Sequence, residues 1–155
     1  MSSNIQDLCR AIAQNTSYDA FAPALTPTQW ETVASYLQPF DLAAGQVLIV
    51  QGATDRTVFF IEAGALSVHL LGESGQMQLA ILNAGSVVGE GSFFSRAPRS
   101  ANVVATGNAR VWRLTAIRFA ELSNRQPNLA LELALAFGSV IARRMMNKLK
   151  RVAVT

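Results

Sequence analysis

Between Val88 and Val103 an acceptor-only carboxylate, Glu90, and a donor-only guanidinium, Arg99, stand among small residues: Gly89, Gly91, Ser92, Ala97, Ser100 and Ala101. Small residues let a backbone approach a ligand closely. A short helix starting near Gly91 points unpaired N–H groups and a positive dipole end at an anion. Arg99 closes on that anion with a forked, charge-assisted contact that lysine does not reproduce. Ser100 adds a hydroxyl beside it. Phosphate repels Glu90, so Glu90 makes sense only as an acceptor for a hydroxyl, such as a ribose 2′-OH. The stretch therefore suits a small ligand held by phosphate and sugar at once. The alternative is a β-turn that happens to carry a surface Arg–Glu pair.

The elements around this stretch must hold it in place. From Phe40 to Leu114 the chain breaks into short β-rich runs at 47–51, 58–62, 66–71, 76–82, 86–88, 102–105 and 109–114. Turn residues separate them, among them Gly45, Gly52, Gly64, Gly72 to Gly75, Gly85 and Gly107. Strands this short and this evenly spaced point to a barrel, roll or sandwich. Before them, helical spacing covers residues 4–14. A second helix is expected from a Thr26 cap and Pro27 to about Leu37, ended by Pro39. After them come a short helix over 116–122 and a long one over 129–150, capped by Asn128. Its residues Leu133, Phe137, Val140, Ile141 and Met145 present more apolar surface than one face against one layer covers.

Gly89-Glu90, eight intervening residues, and then Arg99-Ser100-Ala101-Asn102-Val103 resemble the phosphate-binding cassette of cyclic nucleotide-binding domains. Gly45, Gly52, the run Phe59 to Gly64, and Gly85 fall where that family turns its β-roll, so the resemblance covers nearly the whole chain. It departs at Gly91-Ser92, where many members carry a bulkier apolar residue. The resemblance implies a mainly β fold with flanking helices: an eight-stranded, jelly-roll-like double-stranded β-helix. Residues 1–39 would be N-terminal helices, 40–114 the roll with its cassette at 89–103, and 115–155 C-terminal helices, all in one domain. It implies that Arg99, Ser100, Ala101, Gly91 and Ser92 hold the cyclic phosphate, and Gly89 and Glu90 the ribose. Val68 and Leu79 would line the purine side, or serve as ordinary core. His69, one residue out of phase with Val68, is expected to face solvent.

Composition narrows the function classes. The 155 residues are 50% hydrophobic and 15% charged, as a globular chain with a sizeable core should be. One Cys and one His leave no internal disulfide, no structural zinc site, no catalytic triad and no haem or iron–sulfur ligand set. No P-loop or dinucleotide fingerprint is present. No apolar run is long enough to span a membrane, and the N-terminus carries no secretory pattern, so a cytoplasmic location is expected. The net charge of +3 gathers at Arg143, Arg144, Lys148, Lys150 and Arg151, which reads as a solvated helix end or as a basic patch for nucleic acid or an anionic membrane. Only Lys150 to Thr155 follow Leu149, too few for a helix-turn-helix, so no direct nucleic-acid binding is expected.

The reading is thus a non-enzymatic binding module for cyclic AMP or cyclic GMP, needing no metal. Cyclic AMP is favoured because the chain has a bacterial look. Its last helix, 129–150, would move on binding and contact a second copy or a partner domain. Two alternatives stand beside it: the sensor half of a catabolite-activator-type regulator, and a roll of the same fold that binds no nucleotide.

Overall fold

The computed structural model describes the backbone of residues 4–154 and the side chains of residues 4–148. An apolar run without alternation needs cover on both faces. Val58-Phe59-Phe60-Ile61 is such a run, and all four residues are buried in strand β3 (Val58–Ala63). Phe59 and Ile61 join Leu66, Leu82, Val88, Val103 and Val111 in the interior of a β-roll. Val58 and Phe60 join Leu8, Val33, Leu133 and Phe137 in a second core, under the helices. One strand thus separates two cores and ties the roll to its helical layer.

The strand assigned ahead of β3 is β2 (Val47–Ile49), and a further one, β1 (Gln38–Leu42), precedes it. After it come β4 (Leu66–Gly72), β5 (Gly75–Leu82), β6 (Val87–Val88), β7 (Asn102–Ala105) and β8 (Ala109–Leu114). They form two antiparallel four-stranded sheets, ordered β1-β8-β3-β6 and β2-β7-β4-β5. This is the expected eight-stranded roll. β2 stops two residues short of expectation because the Gln51 N–H is taken by the Asn102 side chain at 2.8 Å instead of by a ladder carbonyl.

β1 was not expected as a strand. The helix before it, α2 (Pro27–Ala34), ends three residues earlier than the spacing suggests. The chain tightens there, with Tyr36 N–H bonded to Val33 O and Leu37 N–H to Ala34 O, and then enters β1. Pro39 does not end a helix; it pairs opposite Trp112 on an edge strand, where a missing N–H is tolerated. The cap of α2 is as expected: Thr26 and Gln29 form a reciprocal capping box.

Helix α1 (Ile5–Gln14) packs Ile5, Leu8 and Ile12 into the helical core. Gly85 lets it sit close: a Cβ there would lie 2.3 Å from the Ala11 carbonyl oxygen, and the residue has φ +90°. The cassette helix α3 (Glu90–Ser95) starts one residue before expectation. Helix α4 (Ala116–Arg125) runs three residues past expectation. Helix α5 (Pro127–Val154) begins with Pro127 in its first turn, and the Gln126 carbonyl accepts its opening bond from Ala130 N–H, so Asn128 is inside the helix and is not its cap. Leu133, Phe137 and Val140 of α5 face the core, contrary to the stripe expected from the sequence. Among its described residues the large exposed apolar side chains are Leu131, Leu135, Met145 and Met146. No described helix is long and apolar enough to cross a membrane.

Candidate functional site

Gly89 caps α3 with φ +88°, and only glycine fits there. A Cβ would lie 2.7 Å from the Thr57 carbonyl oxygen and 2.9 Å from Arg99 Nη1. That close approach brings the Gly89 carbonyl to 2.8 Å from Arg99 Nη1, which donates to it. Arg99 is only 4% exposed. Its Nε and Nη2 donate to Asp55 Oδ1 and Oδ2 at 3.2 and 2.6 Å, and Nη2 also donates to Thr57 O. Four of its five N–H groups are therefore committed, and one on Nη1 remains. The main chain is tied as well: Gly52 N–H bonds to Arg99 O, and Arg99 N–H to Ala53 O.

Asp55 has no role in the sequence reading. It is the counter-charge of Arg99, and the hydrogen bonds from that guanidinium hold its carboxyl below the usual range, against the effect of partial burial. Its neighbour Arg56 reaches the far end of α3, with Nε and Nη2 donating to the Phe93 carbonyl at 3.2 and 2.8 Å. The 52–57 segment thus braces the cassette at both ends.

Glu90 sits across the cleft, its side chain 13% exposed. Arg144 of α5 donates from Nη1 to Glu90 Oε1 at 2.7 Å, from Nε to Asp19 Oδ2 at 2.7 Å and from Nη2 to the Val87 carbonyl at 2.9 Å. Arg144 is therefore not part of a solvated basic end; it turns inward. Burial disfavours its charge, but Glu90 and Asp19 outweigh that and raise its pKa. Burial likewise pushes the Asp19 carboxyl up, and the bonds that it accepts from Arg144 and from the Ser17 hydroxyl bring it below the usual range. Glu90 Oε2 is buried with no hydrogen-bond partner. The side chains of Lys150 and Arg151, also assigned to the basic end, lie outside the described residues.

Between these two ends opens a cleft of about 660 Å³. Gly89, Glu90, Gly91, Ser92, Arg99, Ser100 and Ala101 line one side and Val68 and Leu79 another, so every expected site residue borders it. Val68 also packs into the roll interior, whereas Leu79 is 41% exposed. His69 does not face solvent freely. A register shift between Val68 and His69 leaves it half-buried, with Nε2 2.6 Å from Ser67 Oγ. Among the lining residues that sequence reasoning missed are Tyr18, Asp19, Leu70 and Asn147, and Arg144 entered it only as part of the basic run. Two aromatic contacts link the cassette to α5: Phe93 and Phe94 lie 6.1 and 5.9 Å from Phe137, ring centre to ring centre.

The same architecture recurs in solved structures. A cyclic nucleotide-binding domain from Methylobacillus flagellatus superposes with a TM-score of 0.84 at 19% identity, covering 96% of this chain and 82% of that one. The catabolite activator protein of Thermus thermophilus gives 0.73 at 24% identity, over 84% and 60%. These establish the fold. In sequence, the chain is 32% identical over 96 residues to a cAMP-dependent protein kinase regulatory subunit of Blastocladiella emersonii, 61% of this chain and 24% of that protein. It is 33% identical over 92 residues to the acetyltransferase Pat of Mycolicibacterium smegmatis, 59% of this chain and 28% of that protein. The chain thus spans about a quarter of the length of these curated relatives. Residues 39–126, from β1 through the whole roll and cassette to the end of α4, match the family model described as the cyclic nucleotide-binding domain, and the chain belongs to that family.

Proposed function

We propose that this chain is a cyclic AMP sensor module, a binding protein with no catalytic step of its own, whose helix α5 reports occupancy. The observation that carries the reading is Glu90 Oε2, a buried carboxylate oxygen without a partner at the wall of the cleft. An unsatisfied buried acceptor costs roughly 1–3 kcal/mol, and a ribose 2′-OH donates what it lacks. Opposite it, the free N–H of Arg99 with Gly91, Ser92, Ser100 and Ala101 surrounds the cyclic phosphate. Gly89 and Glu90 take the ribose, and Val68 and Leu79 the purine side. Cyclic AMP is favoured over cyclic GMP because the kinase regulatory subunit to which the chain is 32% identical over 96 residues is a cAMP-dependent one. Isothermal titration with both nucleotides tests this. Saturable one-site binding, tighter for cyclic AMP, is expected; no heat from either would mean a roll that binds no nucleotide.

Transmission runs through two contacts between site and helix: Arg144 on Glu90, and Phe137 against Phe93 and Phe94. A ligand that fills the Glu90 side stabilises the arrangement in which α5 is seated, and only such a difference between states can couple the two. Hydrogen exchange in α5 should slow on binding more than in α2. The partner of α5 is a second copy of the chain. Leu131, Leu135, Gly138, Ala142 and Met145 recur in steps of four and three, are all exposed, and continue in the sequence at Leu149 and Val152. Nothing lies within 4 Å of a Cβ built on Gly138, so a second helix has room to approach there. Light scattering should give twice the chain mass, and Leu135→Glu should halve it. The reading includes no nucleic-acid contact.

A further inference from the structure

The family match stops at residue 126, but the cleft does not: part of its rim is built by Tyr18, in the loop after α1, and by Asn147 of α5. The two residues are held by one device. Asp19, next to Tyr18 in sequence, bonds Arg144 at 2.7 Å, and Asn147 lies three residues past Arg144, one turn further along the same helix face. Arg143 adds a bond from Nη1 to the Tyr18 carbonyl at 3.3 Å. Asn147 Nδ2 then donates to the Tyr18 hydroxyl oxygen at 3.3 Å. Among the described residues, Asn147 Oδ1 accepts no bond and the Tyr18 hydroxyl donates none. The rim therefore presents one free acceptor beside one free donor.

We infer that Tyr18 and Asn147 read the base edge and set the preference for adenine, an inference that rests on the cyclic nucleotide reading above. Along its outer edge adenine carries a donor, the N6 amine, beside an acceptor, N7. That order matches Asn147 Oδ1 and the Tyr18 hydroxyl. Guanine carries two acceptors there, O6 and N7, so Asn147 Oδ1 would face a lone pair and lose its partner. The apolar floor of Val68, Leu70 and Leu79 accepts either ring, so discrimination falls to the rim.

The test is isothermal titration of the full chain with three ligands: cyclic AMP, cyclic GMP, and purine riboside 3′,5′-cyclic monophosphate, which is cyclic AMP without the N6 amine. Wild type should bind cyclic AMP about tenfold more tightly than the analogue without the amine, as one lost base contact implies. Asn147→Leu should bring that ratio to about one while leaving affinity for the amine-free analogue within about threefold of wild type. Tyr18→Phe, which keeps the ring, should weaken cyclic AMP and its amine-free analogue alike, since both carry N7. A ratio that survives Asn147→Leu overturns the inference but leaves cyclic nucleotide binding intact, and so does a wild type that prefers cyclic GMP. A wild type that binds none of the three ligands overturns the cyclic nucleotide reading and this one with it.

Discussion

The two ends of the cleft are built on different terms. At the proposed phosphate end Arg99 is 4% exposed and held by the Asp55 carboxylate and two backbone carbonyls, with its own main chain laced to the 52–57 segment. At the base rim Tyr18 is 54% exposed and meets Asn147 through a single 3.3 Å bond. The first end lies within the span the family shares, residues 39–126; the second lies outside it. A group that neutralises charge needs a fixed position, because its strength depends on being desolvated and aligned before the ligand arrives. A rim that selects among bases gains from being adjustable, and its residues vary at little cost to the fold. On the proposed reading, rigidity sits where the chemistry is common to all cyclic nucleotides, and looseness where ligands differ.

The most direct way to break this contrast is Arg99→Ala. Loss of a charge-assisted contact to a partly desolvated anion costs roughly 2–4 kcal/mol, or about 30- to 1,000-fold in Kd. The same change strands Asp55, so thermal stability should fall too. Titration that finds cyclic AMP affinity within threefold of wild type would remove Arg99 from the phosphate site. Next in size is Gly89→Ala. The new methyl group meets the Thr57 carbonyl and Arg99 Nη1 at under 3 Å in a conformation that disfavours side chains. A cost of about 1–3 kcal/mol in stability and a weakened phosphate contact are expected, read by thermal melts and titration together. The counterpart Gly91→Ala, which meets no atom within 4 Å, should be close to neutral.

Glu90→Gln is expected to be smaller, about tenfold in affinity, because an amide oxygen still accepts from a sugar hydroxyl. It also weakens the Arg144 bond, and so probes the link to α5. The 2′-deoxy analogue of cyclic AMP separates these effects: it should lose affinity on wild type, and lose less on Glu90→Gln, where the neutral acceptor makes the weaker bond. Equal binding of the deoxy and parent nucleotides by wild type would take the ribose role away from Glu90.

Most of the roll was legible because its signals are local. Turn glycines and short apolar runs mark seven of the eight strands, and the spacing of Glu90, Arg99 and the small residues between them marks the cassette. What stayed hidden depends on contacts distant in sequence. β1 was obscured by Pro39, a strand breaker that is harmless on an edge. Asp55 lies 44 residues from Arg99, and Asp19 lies 125 from Arg144, and nothing in the local pattern of either acid announces its partner. Leu133, Phe137 and Val140 were assigned to an exposed stripe because apolar residues on α5 cover more than one face, and sequence alone does not say which face turns inward. The 4-3 row at Leu131, Leu135, Gly138, Ala142 and Met145 is visible only once the core face is known.

Acid gives the finest test of the contrast between the two ends. Asp55 and Asp19 both have carboxyls held below their ordinary range, the first by Arg99 and the second, against its burial, by Arg144. A depressed folded-state pKa contributes stability that is full above the unfolded value near 4 and is lost as pH falls through it toward the folded value. Melting temperature should therefore fall as the pH drops below about 4. The Asp55 side chain is 48% exposed and its pairing is screened by water, whereas the Asp19 side chain is 8% exposed. Asp19→Asn should thus cost on the order of 1 kcal/mol at neutral pH, roughly 2–4 °C in Tm, and flatten the acid limb. Asp55→Asn should flatten it less. The α5 clasp at the rim would then be the acid-labile part of the site, while the phosphate end, braced by the Gly89 and Thr57 carbonyls and by main-chain bonds, keeps Arg99 in place. If Asp55→Asn flattens the limb more, the firmness of the phosphate end rests on its one exposed carboxylate, and the contrast is the reverse of the one drawn from burial.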